Sequence, residues 1–148
     1  MKYAAKLFAL EDNAMVMRGL KHMAGTIRNI QWMCGARDLP EALDYLQTHQ
    51  PDIAILDLEL PGGSGIQAVY QLHQQAPHCR IAVFSGKMNG EVSALCKLAG
   101  ATKCFHKLTD VDRLNATLRC WAQEFQATQE HPSPTPSARA TATPYHNE

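Results

Sequence analysis

The segment Pro51-Asp52-Ile53-Ala54-Ile55-Leu56-Asp57-Leu58-Glu59-Leu60-Pro61-Gly62-Gly63-Ser64-Gly65 limits the fold more than any other stretch of this chain. Its apolar run is too short for a typical helix and reads as a strand buried on both faces. Asp57 closes the run, and the Pro and Gly residues that follow turn the chain, so the carboxylate sits on a loop at the strand's carboxyl edge. Open α/β sheets carry their chemistry at that edge.

Three further apolar runs end in the same way. Lys6-Leu7-Phe8-Ala9-Leu10 leads into Glu11-Asp12, Arg80-Ile81-Ala82-Val83-Phe84 into Ser85-Gly86, and Lys103-Cys104-Phe105-His106 into Lys107. As parallel strands of one sheet, they bring three acids, a hydroxyl and an ammonium to a single edge. Clustered carboxylates in a partly desolvated pocket repel one another and need a cation, and ligands that are all oxygen select a hard ion such as Mg2+. A divalent ion, a lysine and a hydroxyl donor are also what a phosphoryl group needs around its oxygens during in-line transfer. Such a pocket suits Asp57 to act as a nucleophile and become an aspartyl phosphate.

Between these runs, strand and helix patterns alternate as they do in βα units wound into a parallel sheet. The first helix is expected over Ala14 to Ala24, with Val16, Leu20 and Met23 on one face, and the second strand over Ile30 to Cys34. Asp38-Leu39-Pro40-Glu41 opens a helix with a capping-box arrangement, leading to Leu43 and Leu46. Ser64-Gly65-Ile66-Gln67 repeats that logic for a third helix carrying Ile66, Val69, Tyr70 and Leu72. The fourth helix is expected over Gly90 to Ala99. The fifth runs from near Asp112 to Gln126, with Leu114, Leu118, Trp121 and Phe125 at helical spacing. Each helix should lay one apolar stripe on the sheet, which leaves the far side of the fifth for a partner.

Together these motifs resemble the receiver domain of bacterial two-component response regulators, over about Lys6 to about Gln126. The resemblance rests on the Glu11-Asp12 pair, Asp57 with Pro61 and Gly65, Ser85-Gly86, and Gly100-Ala101 ahead of Lys107. Each motif is weak alone, and the ordered set is specific. Asn13 through Leu20, with Arg18-Gly19-Leu20, is closer to receivers that carry a LuxR-type DNA-binding domain than to the chemotaxis type.

The resemblance implies a flavodoxin-like, doubly wound (βα)5 fold of the α/β class, with a five-stranded parallel sheet in the order 2-1-3-4-5. It implies that Asp57 is the phosphoacceptor and that Glu11 and Asp12 hold Mg2+ together with Asp57 and the backbone carbonyl of Glu59. Ser85 would bond the phosphoryl group and Lys107 would form an ion pair with it. A sensor histidine kinase or phosphotransfer protein upstream and a protein target downstream are the implied partners, and a phosphorylation-dependent dimer is compatible with the family. The chain also departs from the family pattern. Cys104 stands where an aromatic switch residue is usual, Lys103 replaces the usual Gly, and Lys107-Leu108 replaces the common Lys-Pro.

Length and charge fit this reading. The 148 residues suffice for one domain, 1–126, and a tail, 127–148. His131-Pro132-Ser133-Pro134-Thr135-Pro136-Ser137 and the Ala and Thr repeats beyond it hold almost no large apolar residue, so the tail is expected to be flexible. No second hydrophobic pattern follows, so no helix-turn-helix is read, and the chain is either a stand-alone receiver or a piece of something longer. With 14 basic and 14 acidic residues and no basic cluster, direct nucleic-acid binding is not expected, and protein partners are.

Five cysteines without a Cys-x-x-Cys pair do not form a disulfide framework, and they read as small core residues of a reduced protein. With no charged-then-apolar leader and no membrane-spanning stretch, the chain is expected to be cytoplasmic, away from any membrane.

Singly, each site residue has an ordinary explanation. An acidic pair favours a helix entry, Asp57 and Ser85-Gly86 suit turns, and Lys107 suits a surface. Joint order and spacing favour function. The histidines His22, His49, His73, His78 and His106 have no metal-ligand spacing.

Two other classes stay open. A Mg-dependent phosphohydrolase-like enzyme would need a second carboxylate near Asp57, for which Glu59 stands two residues on, and a substrate-covering cap, of which no insertion is visible. A phosphorylation-independent pseudo-receiver adaptor would not need the acid set, which is intact. Glu59 and Lys87, two residues beyond Asp57 and Ser85, are expected to meet across the pocket mouth.

Overall fold

A computed structural model describes residues 3–62 and 65–130, and within them strands and helices alternate throughout. In chain order they are β1 (Ala5–Leu10), α1 (Ala14–Gly25), β2 (Ile30–Ala36), α2 (Leu39–Leu46), β3 (Ile53–Leu56), α3 (Gly65–Gln75), β4 (Arg80–Ser85), α4 (Gly90–Ala99), β5 (Lys103–His106) and α5 (Val111–Glu130). The strands form one parallel sheet in the order β2-β1-β3-β4-β5. This is the flavodoxin-like arrangement, whose switch in winding direction falls between β1 and β3.

The continuous apolar strands are explained by the two cores they serve. Phe8, Leu10, Leu56, Ile81 and Val83 point to one face and pack with Leu46 of α2, Val69 and Leu72 of α3, and Cys96 of α4. Their alternating neighbours, including Leu7, Ile55, Phe84 and Phe105, point to the other face and pack with Leu20 of α1 and Leu114, Leu118 and Trp121 of α5. A strand sandwiched in this way has no solvent side, so it shows no polar alternation until it leaves the sheet. Among the described residues, no helix is long and apolar enough to cross a membrane.

Helix starts follow the capping residues. Asn13 Oδ1 accepts from the backbone N–H of Met15 and Val16 at α1, Asp38 Oδ1 from Glu41 at α2, and Asn89 Oδ1 from Val92 at α4. The expected capping box at α2 closes one residue early, because Glu41 Oε1 accepts from Arg37 N–H, not from Asp38. Gly100 ends α4 with φ of 124°, and His73 of α3 packs so closely there that a Cβ would lie 2.6 Å from its ring.

Several expectations are corrected. β2 runs to Ala36, past Cys34, because a register shift opposite Leu7 and Phe8 skips Met33 and lets the strand follow β1 to its end. Tyr70 is 54% exposed, since it lies on the opposite side of α3 from Leu72, two residues on. Cys79 and Cys96 are buried, but Cys34 and Cys104 are half-buried and Cys120 is exposed on α5. α5 continues through Ala127 to Glu130, where Thr128 Oγ1 donates to the Glu124 carbonyl, so residues 127–130 are helix and not tail. The Ser64 helix start and the segment from His131 onward lie outside the described residues.

Candidate functional site

Glu11, Asp57 and Lys107 each directly follow a strand and keep one more ladder hydrogen bond. Glu11 N–H donates to Ala36 O at 3.0 Å, Asp57 N–H to Leu10 O at 3.0 Å, and Lys107 N–H to Ser85 O at 3.1 Å. The sheet therefore holds these backbones in place, and only the side chains are free to adjust. Leaving the sheet, three of the polar side chains accept from the N–H two residues on. Asn13 N–H donates to Glu11 Oε2 at 3.0 Å, Glu59 N–H to Asp57 Oδ1 at 3.2 Å, and Lys87 N–H to Ser85 Oγ at 3.2 Å. These local turns aim the side chains inward over the sheet edge.

At the centre, Lys107 bridges two buried carboxylates. Its Nζ lies 2.9 Å from Glu11 Oε1 and 3.1 Å from Asp57 Oδ2. Glu11 and Asp57 are 2% and 3% exposed, so the pocket strips both of water. Desolvation raises the Glu11 pKa above the usual carboxylate value, and the nearby Asp57 charge adds to it, against the lowering by Asn13 N–H and Lys107. Desolvation alone would depress the Lys107 ammonium, yet its hydrogen bonds to Glu11 and Asp57, and their charges, outweigh that and leave its pKa above the ordinary value.

Asp12, half-buried, completes a set of three carboxylates, with Glu11 and Asp57, whose ligand oxygens all lie within 4.8 Å of one another. An all-oxygen donor set of that compactness suits a hard divalent cation. Ser85 is buried at the end of β4, the strand between β3 and β5, so its hydroxyl emerges between the strands that carry Asp57 and Lys107. Glu59 meets the site through its backbone, by the bond to Asp57. Its carboxylate instead reaches Lys87 Nζ at 3.9 Å, across the mouth, as the spacing led us to expect.

Two supporting residues escaped the sequence reading. Asp110 Oδ2 accepts from His106 N–H at 2.8 Å, and His106 Nδ1 accepts from Leu108 N–H at 3.0 Å, which together brace the turn that presents Lys107. Asp110 immediately precedes α5, and that helix-start position was the available signal. Asn13 both caps α1 and, through its backbone N–H, fixes Glu11.

Fold and site thus define a doubly wound α/β domain with an acidic, lysine-bridged pocket at its switch point. The model of the response regulator receiver domain family matches residues 7–119, and the chain belongs to that family. It is 30% identical over 97 residues to the DNA-binding transcriptional activator DevR/DosR of Mycobacterium tuberculosis, an alignment covering 66% of this chain and 45% of that protein. A two-component response regulator of the LuxR family from Aurantimonas sp. SI85-9A1 superposes with a TM-score of 0.74 at 24% identity, covering 82% of this chain and 86% of that one. A CheY-like receiver domain protein from Methanospirillum hungatei JF-1 gives 0.73 at 17% identity, covering 85% and 98%. The structural likenesses speak for the fold. The chain spans about half the length, or less, of the curated relatives it matches.

Proposed function

We propose that Asp57 is the residue on which this receiver accepts its phosphoryl group, and that Glu11, Asp12, Asp57 and the Glu59 carbonyl would hold Mg2+ while it does so. The observation that carries the proposal is the convergence of three carboxylates and the Lys107 ammonium on one buried edge. A carboxylate oxygen of Asp57 attacks phosphorus in line, and the bond to the donor's leaving nitrogen or oxygen breaks. When bound, the divalent ion would offset the negative charge gathered by the carboxylates and the phosphoryl oxygens. Lys107 is already within hydrogen-bond reach of Asp57, and Ser85 offers a hydroxyl held in orientation by Lys87 N–H. Acceptance and loss of the phosphoryl group is all the chemistry we assign, so the chain is a switch and not an enzyme with an external substrate.

The donor we propose is a phosphohistidine on a sensor kinase or phosphotransfer protein, in a cytoplasmic phosphorelay. An apolar groove of about 340 Å³, lined by Val16, Met23, Leu108 and Val111, opens beside Lys107 and supports docking of an apolar helical face there. A downstream protein target would read the phosphorylated form. The test is intact-mass measurement of wild type and Asp57→Asn after incubation with acetyl phosphate, with and without Mg2+. Phosphate uptake only by wild type with metal is expected, and equal uptake by both chains would sink the assignment.

A further inference from the structure

Two cysteines meet where α4 packs on β5. Cys96 points inward from α4 and is buried, and Cys104 on β5 is half-buried beneath the same helix. Cys104 Sγ donates to the Ser93 carbonyl at 3.9 Å, one helical turn before Cys96. Helical side chains lean toward the helix N-terminus, which carries the Cys96 thiol over that same turn. Cys104 packs against the buried cluster that contains Cys96. Phosphoryl acceptance uses neither sulfur.

We propose that Cys96 and Cys104 are a redox-active dithiol, which a hydroperoxide such as hydrogen peroxide converts to a disulfide tying α4 to β5. Cys104 is the more exposed of the two residues, so its thiolate attacks the peroxide. The O–O bond breaks, Cys104 becomes a sulfenic acid, and the departing hydroxide leaves as water with the thiol's proton. Cys96 then attacks the Cys104 sulfur, the S–S bond forms, and the sulfenic hydroxyl leaves with the Cys96 proton as a second water. Two electrons pass from the sulfur pair to the peroxide. Burial, then the charge and hydrogen bond of Cys104, push the Cys96 thiol up to about 11, so Cys96 stays protonated and is not the sulfur that meets peroxide first.

Closure brings the sulfurs to about 2.05 Å and so draws α4 onto β5. Cys104 occupies the position where the family usually carries an aromatic switch residue. A bond there would hold the α4–β5 face in one arrangement whatever the state of Asp57.

The test treats the full chain, carrying Cys120→Ser to remove the exposed thiol, with hydrogen peroxide, followed by alkylation under denaturing conditions and peptide mapping. The expected product is about 2 Da lighter and has two fewer alkylatable cysteines. Trypsin should then release the Met88–Lys97 and Cys104–Lys107 peptides as one species that a reductant separates. Cys96→Ser should instead leave Cys104 as a sulfenic acid that dimedone traps. Two outcomes overturn the proposal. One is oxidation of Cys104 to the sulfinic acid, about 32 Da heavier, with Cys96 still alkylatable. The other is survival of both thiols at peroxide doses that consume Cys120 in wild type. The mapping of the Cys120→Ser chain decides the matter even if Cys96→Ser fails to fold. No phosphoryl transfer is involved, so failure here leaves the Asp57 assignment standing.

Discussion

Lys107 Nζ donates to Asp57 Oδ2 at 3.1 Å, so the cation available to a phosphoryl group is already bound to the carboxylate that would carry it. The same ammonium pairs with Glu11 at 2.9 Å. One positive charge thus serves two buried carboxylates, and the Glu11 pKa is raised by desolvation first, with the neighbouring Asp57 charge adding to it. On the proposed assignment, phosphorylation of Asp57 and metal binding would both act on this shared cation, since each would change the charge that Lys107 faces.

Lys107→Met removes that cation and leaves Glu11 and Asp57 facing each other. The loss should be about 2–3 kcal/mol, below the 3–5 kcal/mol typical of a broken buried pair, because Lys107 keeps 19% exposure and a carboxylate can take up a proton. Mg2+ replaces the missing charge, so the variant's melting temperature should rise more with metal than that of wild type. Equal metal-induced shifts in a thermal-melt titration would refute the shared-cation account.

The Glu11 shift sets a pH dependence. Its folded pKa is raised above the unfolded value, so its contribution to stability is fully present below about pH 4.3 and is lost as pH rises through the elevated folded value. Lys107 is also raised, and its contribution is lost only as pH climbs through its own folded pKa, above about 10.4. If Glu11 holds Mg2+ as proposed, binding would require it ionised, and Mg2+ affinity should fall with acidification, by up to about tenfold per pH unit for one linked proton. Calorimetric titrations in buffers of different ionisation heat would reveal the released proton. A pH-independent affinity between pH 5 and 8 would contradict the linkage.

Glu59 and Lys87 stand 3.9 Å apart at the mouth, with side chains 47% and 75% exposed. A pair so open to water contributes about 0–1 kcal/mol to stability, so its effect should be kinetic. Lys87→Ala and Glu59→Ala are each expected to speed loss of phosphate from Asp57 by admitting water, while the melting temperature stays nearly unchanged. Wild-type dephosphorylation rates in both variants would end the gating idea.

Gly65→Ala tests how tightly the loop after Asp57 is held. A Cβ at that position would fall 2.3 Å from the Leu58 Cα and carbonyl oxygen, and these are backbone atoms with no rotamer to yield. Separating them should cost about 1–3 kcal/mol and shift the loop that carries the Glu59 N–H and carbonyl. Urea denaturation gives the stability change, and slower phosphate uptake would report the displaced loop. A variant as stable and as reactive as wild type would show that the loop adjusts freely.

Much of the fold was legible because strand and helix patterns are local. A strand covered on both faces must be apolar from end to end, so the polar residue at its exit, as at Leu10-Glu11 or Leu56-Asp57, marks where the chain leaves the sheet. Parallel winding then carries every such exit to one edge, which is why Glu11, Asp12, Asp57, Ser85 and Lys107 could be grouped before any coordinate was known. The helix stripes were readable for the same reason, except where one residue of rotation turned Tyr70 outward.

The contacts made within that edge depend on strand order and side-chain rotation, and adjacent residues do not encode them. Lys107 reaches Glu11 and Asp57 only because β1, β3, β4 and β5 stand in that order and fix three separate backbones against one another. The same long-range packing decided that Cys104 packs against the cluster holding Cys96, that β2 skips a residue to keep pace with β1, and that α5 continues to Glu130. Periodicity determined which face each segment would bury. Tertiary packing alone determined which side chains, far apart in the chain, would share one charge or one hydrogen bond, because those distances are set by how the sheet and helices close on each other.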